Sequence, residues 1–246
     1  MAYPHGVERK NIPNPGFAED DGTADPRLAA ALAAWAADGD AAEPELLAAL
    51  APGRLMVPIV ALLGEVEVDA NGHKHEKTSD MAVPLVEAAD GRRALPAFTS
   101  LETLARWRAD ARPAPVAAPQ AAMVAYSEQA DTLLIDPAGP VAFQVTGARL
   151  RALAENRPYL PPLADPAVHE ALRGLLDTTG VVTHAYLAPA DDADGTLAVV
   201  LVPDADPRPL IDALSGDPVL RVRLDTGLQL AVLREPLRGE PFYTAG

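Results

Sequence analysis

Apolar residues along this chain switch repeatedly between helical and extended spacing. Leu28, Leu32 and Trp35 recur at helical spacing behind Asp25 as cap and Pro26 as first helical residue, and predict the first helix. A second is predicted over Glu43–Leu50, ended by Pro52-Gly53. Residues 54–68 read as a long strand, with Leu55, Val57, Ile59 and Val60 near its start; Pro58 cannot donate to a ladder and points to an edge or a bulge. A second strand, 81–86, carries Pro84 and shares that feature. The polar stretch 69–80 between them, with Asn71-Gly72, predicts a hairpin with an enlarged tip. Asp90-Gly91 then turns the chain into a strand over 93–98, so three consecutive strands are expected to form a meander.

Residues 94–107 pass directly from that strand into a helix. Thr99 and Glu102 are spaced as a capping box, in which the hydroxyl takes a free helix N–H and the carboxylate reaches back to the cap's own N–H. Leu101, Leu104 and Ala105 fall on one face, with Trp107 able to close over the same core. Pro113, Pro115 and Pro119 break the chain before a helix predicted over 120–128. Leu133, Leu134 and Ile135 predict a short buried strand, and Asp136-Pro137-Ala138-Gly139 has the residues of a type I turn. Val141, Phe143 and Val145 alternate on a returning strand, and Thr146 is the expected cap of a helix carrying Leu150 and Leu153.

Pro158, Pro161 and Pro162 make 157–164 a stiff segment and the expected domain boundary. Beyond it, Asp165-Pro166 opens a helix with Val168, Leu172, Leu175 and Leu176 on one face, closed by Gly180. Strands are predicted over 181–187 and 196–202, followed by a helix capped at Asp206-Pro207 and running through Leu214. Leu220, Val222 and Leu224 alternate as a further strand, which the turn Asp225-Thr226-Gly227 joins to a last one over 228–233. The expected architecture is α+β: two small domains, 26–156 and 165–236, each a mostly antiparallel sheet with helices on one face. Residues 1–25, proline-rich and acidic, are read as an extended tail, either draped on the first domain through Ile12 and Phe17 or disordered.

Several stretches together resemble one family. Leu95-Pro96-Ala97-Phe98-Thr99-Ser100, followed by Glu102 and Trp107, is similar to the hallmark of the SseB-type domain of the enhanced-serine-sensitivity family. Residues 10–17 (Lys-Asn-Ile-Pro-Asn-Pro-Gly-Phe), 55–58 (Leu-Met-Val-Pro), 76–84 (Glu-Lys-Thr-Ser-Asp-Met-Ala-Val-Pro) and 136–140 (Asp-Pro-Ala-Gly-Pro) fit it in the same order. The resemblance covers most of residues 10–156 and extends to an SseB-like C-terminal region. It implies no reaction, because the family carries no established activity or catalytic residues.

Composition narrows the function classes. The 246 residues are 49% hydrophobic and 22% charged, enough for a sizeable core, but only 4% are aromatic, which leaves few stacking platforms for bases. A net charge of -15 repels phosphate backbones and anionic lipid, so neither nucleic acid nor membrane is an expected partner. The absence of Cys removes disulfides, thiolate metal sites and cysteine nucleophiles. With no signal-like run at the N-terminus and no long apolar stretch, a cytoplasmic location is expected.

Candidate chemistry is sparse. His73 and His75 could face one metal from an extended chain, but no third ligand is specified and Lys74 and Lys77 oppose a cation, which favours a solvated loop tip. The run 191–195 fails the EF-hand register, because Ala190 and Leu201 would stand where carboxylates are required; an acidic hairpin turn fits better. Ser79, Ser100, Ser127 and Ser215 lack a nucleophile elbow, and no phosphate loop or dinucleotide fingerprint occurs. The remaining candidate is an anion or ligand site where Thr99 and Ser100 open a helix near Arg92, Arg93, Lys77 and Asp136, set against a terminus already satisfied by Glu102. The expected function is a non-enzymatic binding or scaffolding module without cofactor, for a protein partner or small ligand. The alternative is a small-molecule enzyme or anion sensor with a site assembled from distant residues.

Overall fold

The computed structural model describes residue 17 and residues 20–62, 67–68, 74–75, 80–89 and 91–246, and contacts divide the chain into two compact units, 1–145 and 146–246. Helix α1 (Pro26–Asp38) starts as its local signals require: the Asp25 carboxylate accepts the N–H groups of Arg27 and Leu28 at 2.8 and 3.0 Å. It buries Leu28, Ala31 and Leu32, and α2 (Glu43–Leu50) buries Leu46, Ala49 and Leu50. Each leucine taken fully from water in this way stabilises by roughly 1.5–3 kcal/mol.

The strands of the first unit are β1 (Arg54–Leu62), β2 (Glu67–Val68), β3 (Lys74–His75), β4 (Asp80–Ala82), β5 (Val86–Glu87) and β6 (Arg93–Ala97). After α3 (Leu101–Trp107) come β7 (Arg112–Ala117), α4 (Ala118–Ser127), β8 (Thr132–Ile135) and β9 (Phe143–Thr146). Two sheets result, β4-β1-β7 and β5-β6-β8-β9, with β2 and β3 paired separately. The strand expected over 81–86 is divided between them, β4 pairing with β1 and β5 with β6. A bridge joins the sheets, with Met56 N–H donating to the Phe98 carbonyl at 2.7 Å and Phe98 N–H to Met56 at 3.0 Å.

Pro113 and Pro115 do not simply break the chain. They sit in edge strand β7, opposite Pro58 and Met56, where missing N–H groups are tolerated. Helix α4 packs on β1, β6, β7 and β8 through Ala118, Ala121, Ala122 and Ala125, all buried, whose small side chains let it lie close. On α3 the buried residues are Thr103 and Leu104; Leu101 and Ala105, expected in the core, are exposed. Trp107 is half-buried against Phe98, ring centroids 5.4 Å apart, in a cluster with Met56 and Leu104.

The second unit contains α5 (Gly147–Ala154), α6 (Pro166–Thr179), β10 (Val182–Ala188), β11 (Gly195–Leu201), α7 (Arg208–Gly216), α8 (Pro218–Arg223), β12 (Leu228–Leu233) and β13 (Tyr243–Thr244). Its sheet order is β12-β11-β10-β13. Val168, Leu172 and Leu176 of α6 pack on Val182, Ala185, Leu197 and Val199, and Leu210 and Leu220 complete that core. Division of contacts falls before α5, and the segment 157–164 runs within this unit, ending in a 3-10 turn with Pro162 buried.

The strand expected at 220–224 is instead α8. Asp217 accepts the N–H groups of Val219 and Leu220 at 2.8 and 2.9 Å and Pro218 fills the first helical position, so a local cap outweighs the apolar alternation. The chain consequently enters β12 parallel to β11 rather than as a hairpin. One carboxylate organises the turn between them: Asp194 accepts the N–H groups of Asp225, Thr226 and Gly227 at 2.8, 2.7 and 2.8 Å. That is the role of Asp194 in the acidic run 191–195. Thr146 is the α5 cap without a side-chain bond, because the Asp225 carboxylate takes the Ala148 N–H.

Candidate functional site

β6 and β8 run parallel with Ala97 opposite Ile135, so the two strands deliver their next residues to one place. Asp136 N–H donates to the Ala97 carbonyl at 2.9 Å. Its carboxylate then accepts from Thr99 twice, from N–H at 2.9 Å and from Oγ1 at 2.6 Å, with Thr99 4% and Asp136 3% exposed. Asp136 has φ +47, a left-handed conformation that Asp adopts more readily than most residues, and Gly139 N–H closes the turn on its carbonyl at 2.9 Å.

Because Asp136 occupies Thr99, the helix begins one residue later than its sequence suggests. Ser100 is the cap: its Oγ accepts the Thr103 N–H at 3.1 Å, and Thr103 Oγ1 accepts the Ser100 N–H at 3.4 Å. Glu102, expected to close the box, lies on the exposed face and accepts from Arg106 at 2.6 Å.

The segment from Asp20 to Thr23 is drawn over this helix start. The Arg54 guanidinium donates through Nε and Nη2 to the Asp20 carboxylate, through Nη1 to the Thr99 carbonyl at 2.6 Å and through Nη2 to the Thr23 carbonyl at 2.8 Å. Leu101 N–H donates to the Gly22 carbonyl at 2.9 Å, and a Cβ on Gly22, at φ +79, would overlap the Leu101 side chain. Hydrogen bonding from Arg54 holds the Asp20 carboxyl below its ordinary value, against the opposing effect of burial. Phe17 is half-buried, and Ile12 lies outside the described residues.

Between α1, α3 and the Asp136 turn lies a groove of about 460 Å³. Thr99, Ser100, Thr103 and Asp136 form its floor, Ala29, Leu32 and Ala33 of α1 one wall, and the Glu102–Arg106 pair its rim. Of the residues singled out in sequence, Thr99, Ser100 and Asp136 therefore converge. Arg92 and Arg93 do not: they stand at the opposite end of β6, beside a separate cavity of about 110 Å³ that also touches Val86, Thr132 and Gln144. Lys77 lies outside the described residues, as does His73, while His75 is in β3. The α1 wall and Arg106 went unrecognised; the small pair Ala29 and Ala33, one turn apart beside Leu32, is the pattern that marks them.

Hydroxyl and carboxylate oxygens lie on the floor. The Leu101 N–H is taken by Gly22 and the Thr103 N–H by Ser100, and a carboxylate stands beside them. Among the described residues no group of three His, Asp or Glu side chains is placed to hold a metal ion. No helix of the described residues is long and apolar enough to cross a membrane.

Comparison with known proteins shows that residues 28–152 match the family model of the SseB protein N-terminal domain. The match takes in every element that forms the groove floor and ends within α5. No curated protein and no solved structure matches the chain.

Proposed function

The chain belongs to the SseB family, and on that premise we propose that it is a non-enzymatic cytoplasmic binding module, whose groove at Thr99, Ser100 and Asp136 receives a protein segment or small ligand. The observation that carries this reading is the state of the groove floor. Asp136 holds Thr99 by two bonds, one of them from the backbone N–H, and Ser100 and Thr103 hold each other as a helix cap, so each of these buried polar groups has a structural use. Above them the walls are alkyl. A cleft with a few oriented polar groups and apolar sides retains a ligand by shape and desolvation.

Hydroxyl and carboxylate oxygens on the floor favour a ligand that donates hydrogen bonds over an anion, which leaves Arg92 and Arg93 outside the site. The net charge of -15 supports a protein or small-molecule partner over nucleic acid. We assign residues 165–236 to an SseB-like C-terminal region.

Ala33 is exposed and lines the groove, so Ala33→Arg fills it without disturbing the core. Thermal shifts with a panel of metabolites and peptides should identify binders to the wild-type chain that the variant no longer binds, at unchanged melting temperature without ligand. Reproducible turnover by the purified chain, abolished by one polar-to-Ala change on the floor, would replace binding with catalysis.

A further inference from the structure

Most sheet edges among the described strands are guarded. β7 carries Pro113 and Pro115, β5 and β13 are two residues long, β4 three and β9 four. Short or proline-bearing edges resist pairing with other chains. β12 is different. It is six residues long, Leu-Gln-Leu-Ala-Val-Leu, with neither proline nor charge, and its ladder with β11 runs unbroken from Gly195↔Leu228 to Val200↔Leu233. On its other side no described strand pairs with it, and Val232 is 55% exposed. Alternate backbone N–H and C=O groups of β12 therefore point away from β11 as a template for another strand.

We propose that this edge pairs antiparallel with β12 of a second copy of the chain, joining two four-stranded sheets into one across a two-fold axis. An antiparallel pair is self-complementary, so each copy satisfies the other's edge with nothing left over. The axis stands perpendicular to the sheet and keeps its faces in common, so directly opposed residues share parity. Centring the pair on Ala231 puts a small side chain on the axis and sets Val232 against Leu230 twice. Leu228 and Leu230 already pack on the helix-covered core, so the exposed valine continues that apolar face.

Full-length protein is followed by sedimentation equilibrium and light scattering from micromolar to near-millimolar concentration. The expected result is a dimer that tightens with added salt, which screens repulsion between two chains of charge -15. Val232→Lys should yield a monomer with an unchanged far-UV spectrum. Because the chain has no Cys, a single thiol reports the register. Ala231→Cys should oxidise to a covalent dimer, since opposed Cα atoms stand about 4.5–5.5 Å apart, within disulfide reach. Val232→Cys, held opposite Leu230, should cross-link far less. A chain that stays monomeric throughout overturns the proposal, even if it captures an extended peptide on β12. So does a dimer that survives Val232→Lys, or equal cross-linking at both positions.

Discussion

Asp136→Ala tests whether the Thr99–Asp136 clamp holds the groove floor. The substitution strands two buried donors, the Thr99 N–H and Oγ1, on a residue 4% exposed. Hydrogen bonds to a charged acceptor contribute about 1.5–3 kcal/mol each, and alanine at φ +47 adds roughly 1 kcal/mol of backbone strain. The two bonds share one carboxylate and are not additive, so the expected loss is about 3–5 kcal/mol. Asp136→Asn keeps the left-handed preference and one carbonyl acceptor for the Thr99 N–H, and should lose only about 1 kcal/mol. Thr99→Val removes the hydroxyl alone, and its coupling to Asp136→Asn in a double-mutant cycle should be roughly 1–2 kcal/mol. Urea unfolding monitored by tryptophan fluorescence is the suitable assay. Both tryptophans, Trp35 and Trp107, belong to the first unit, and Trp107 stacks on Phe98 beside the clamp, so the signal follows that unit alone. A loss below about 1 kcal/mol for Asp136→Ala, at unchanged urea dependence, would refute the argument.

Other perturbations read other parts of the chain. Gly147 has φ +53, and a Cβ there would overlap the Asp225 carboxylate, so Gly147→Ala should destabilise the second unit by roughly 2–3 kcal/mol in unfolding followed by circular dichroism. Because the Asp20 carboxyl is held low by Arg54, its contribution is present above the ordinary value of 3.8 and is lost as pH falls through the lowered folded value. Acid titration of stability should show this loss in wild type and not in Asp20→Asn; an identical acid limb in both removes the strap from the account. We propose the segment 157–164 as the domain boundary, although contacts group it with the second unit: Pro158, Leu160 and Pro161 are exposed, and limited proteolysis should cut there or in 69–80 first. First cleavage anywhere else would count against it.

Caps were legible because they act over two or three residues. Asp25-Pro26 and Asp165-Pro166 each place a carboxylate within reach of the N–H groups just beyond, whatever the rest of the chain does. Asp217-Pro218 carried the same mark, but the alternation of Leu220, Val222 and Leu224 obscured it. At the start of α3 the sequence contains two overlapping boxes, Thr99 with Glu102 and Ser100 with Thr103, and local chemistry does not choose between them. A residue 37 positions away does, since Asp136 claims the Thr99 donors and leaves Ser100 as cap. The same holds for Arg54 with Asp20 and for Asp194 with the turn at 225–227. The helix start and the turn were recognisable as polar groups able to share a site, but it is the parallel pairing of β6 with β8 that brings them together, and that pairing also carries Arg92 and Arg93 to the far end. Sequence determines which groups need partners, because each buried N–H, carboxylate or apolar face demands one; tertiary structure decides which partner, because burial selects among strand pairings that local propensity leaves nearly equal.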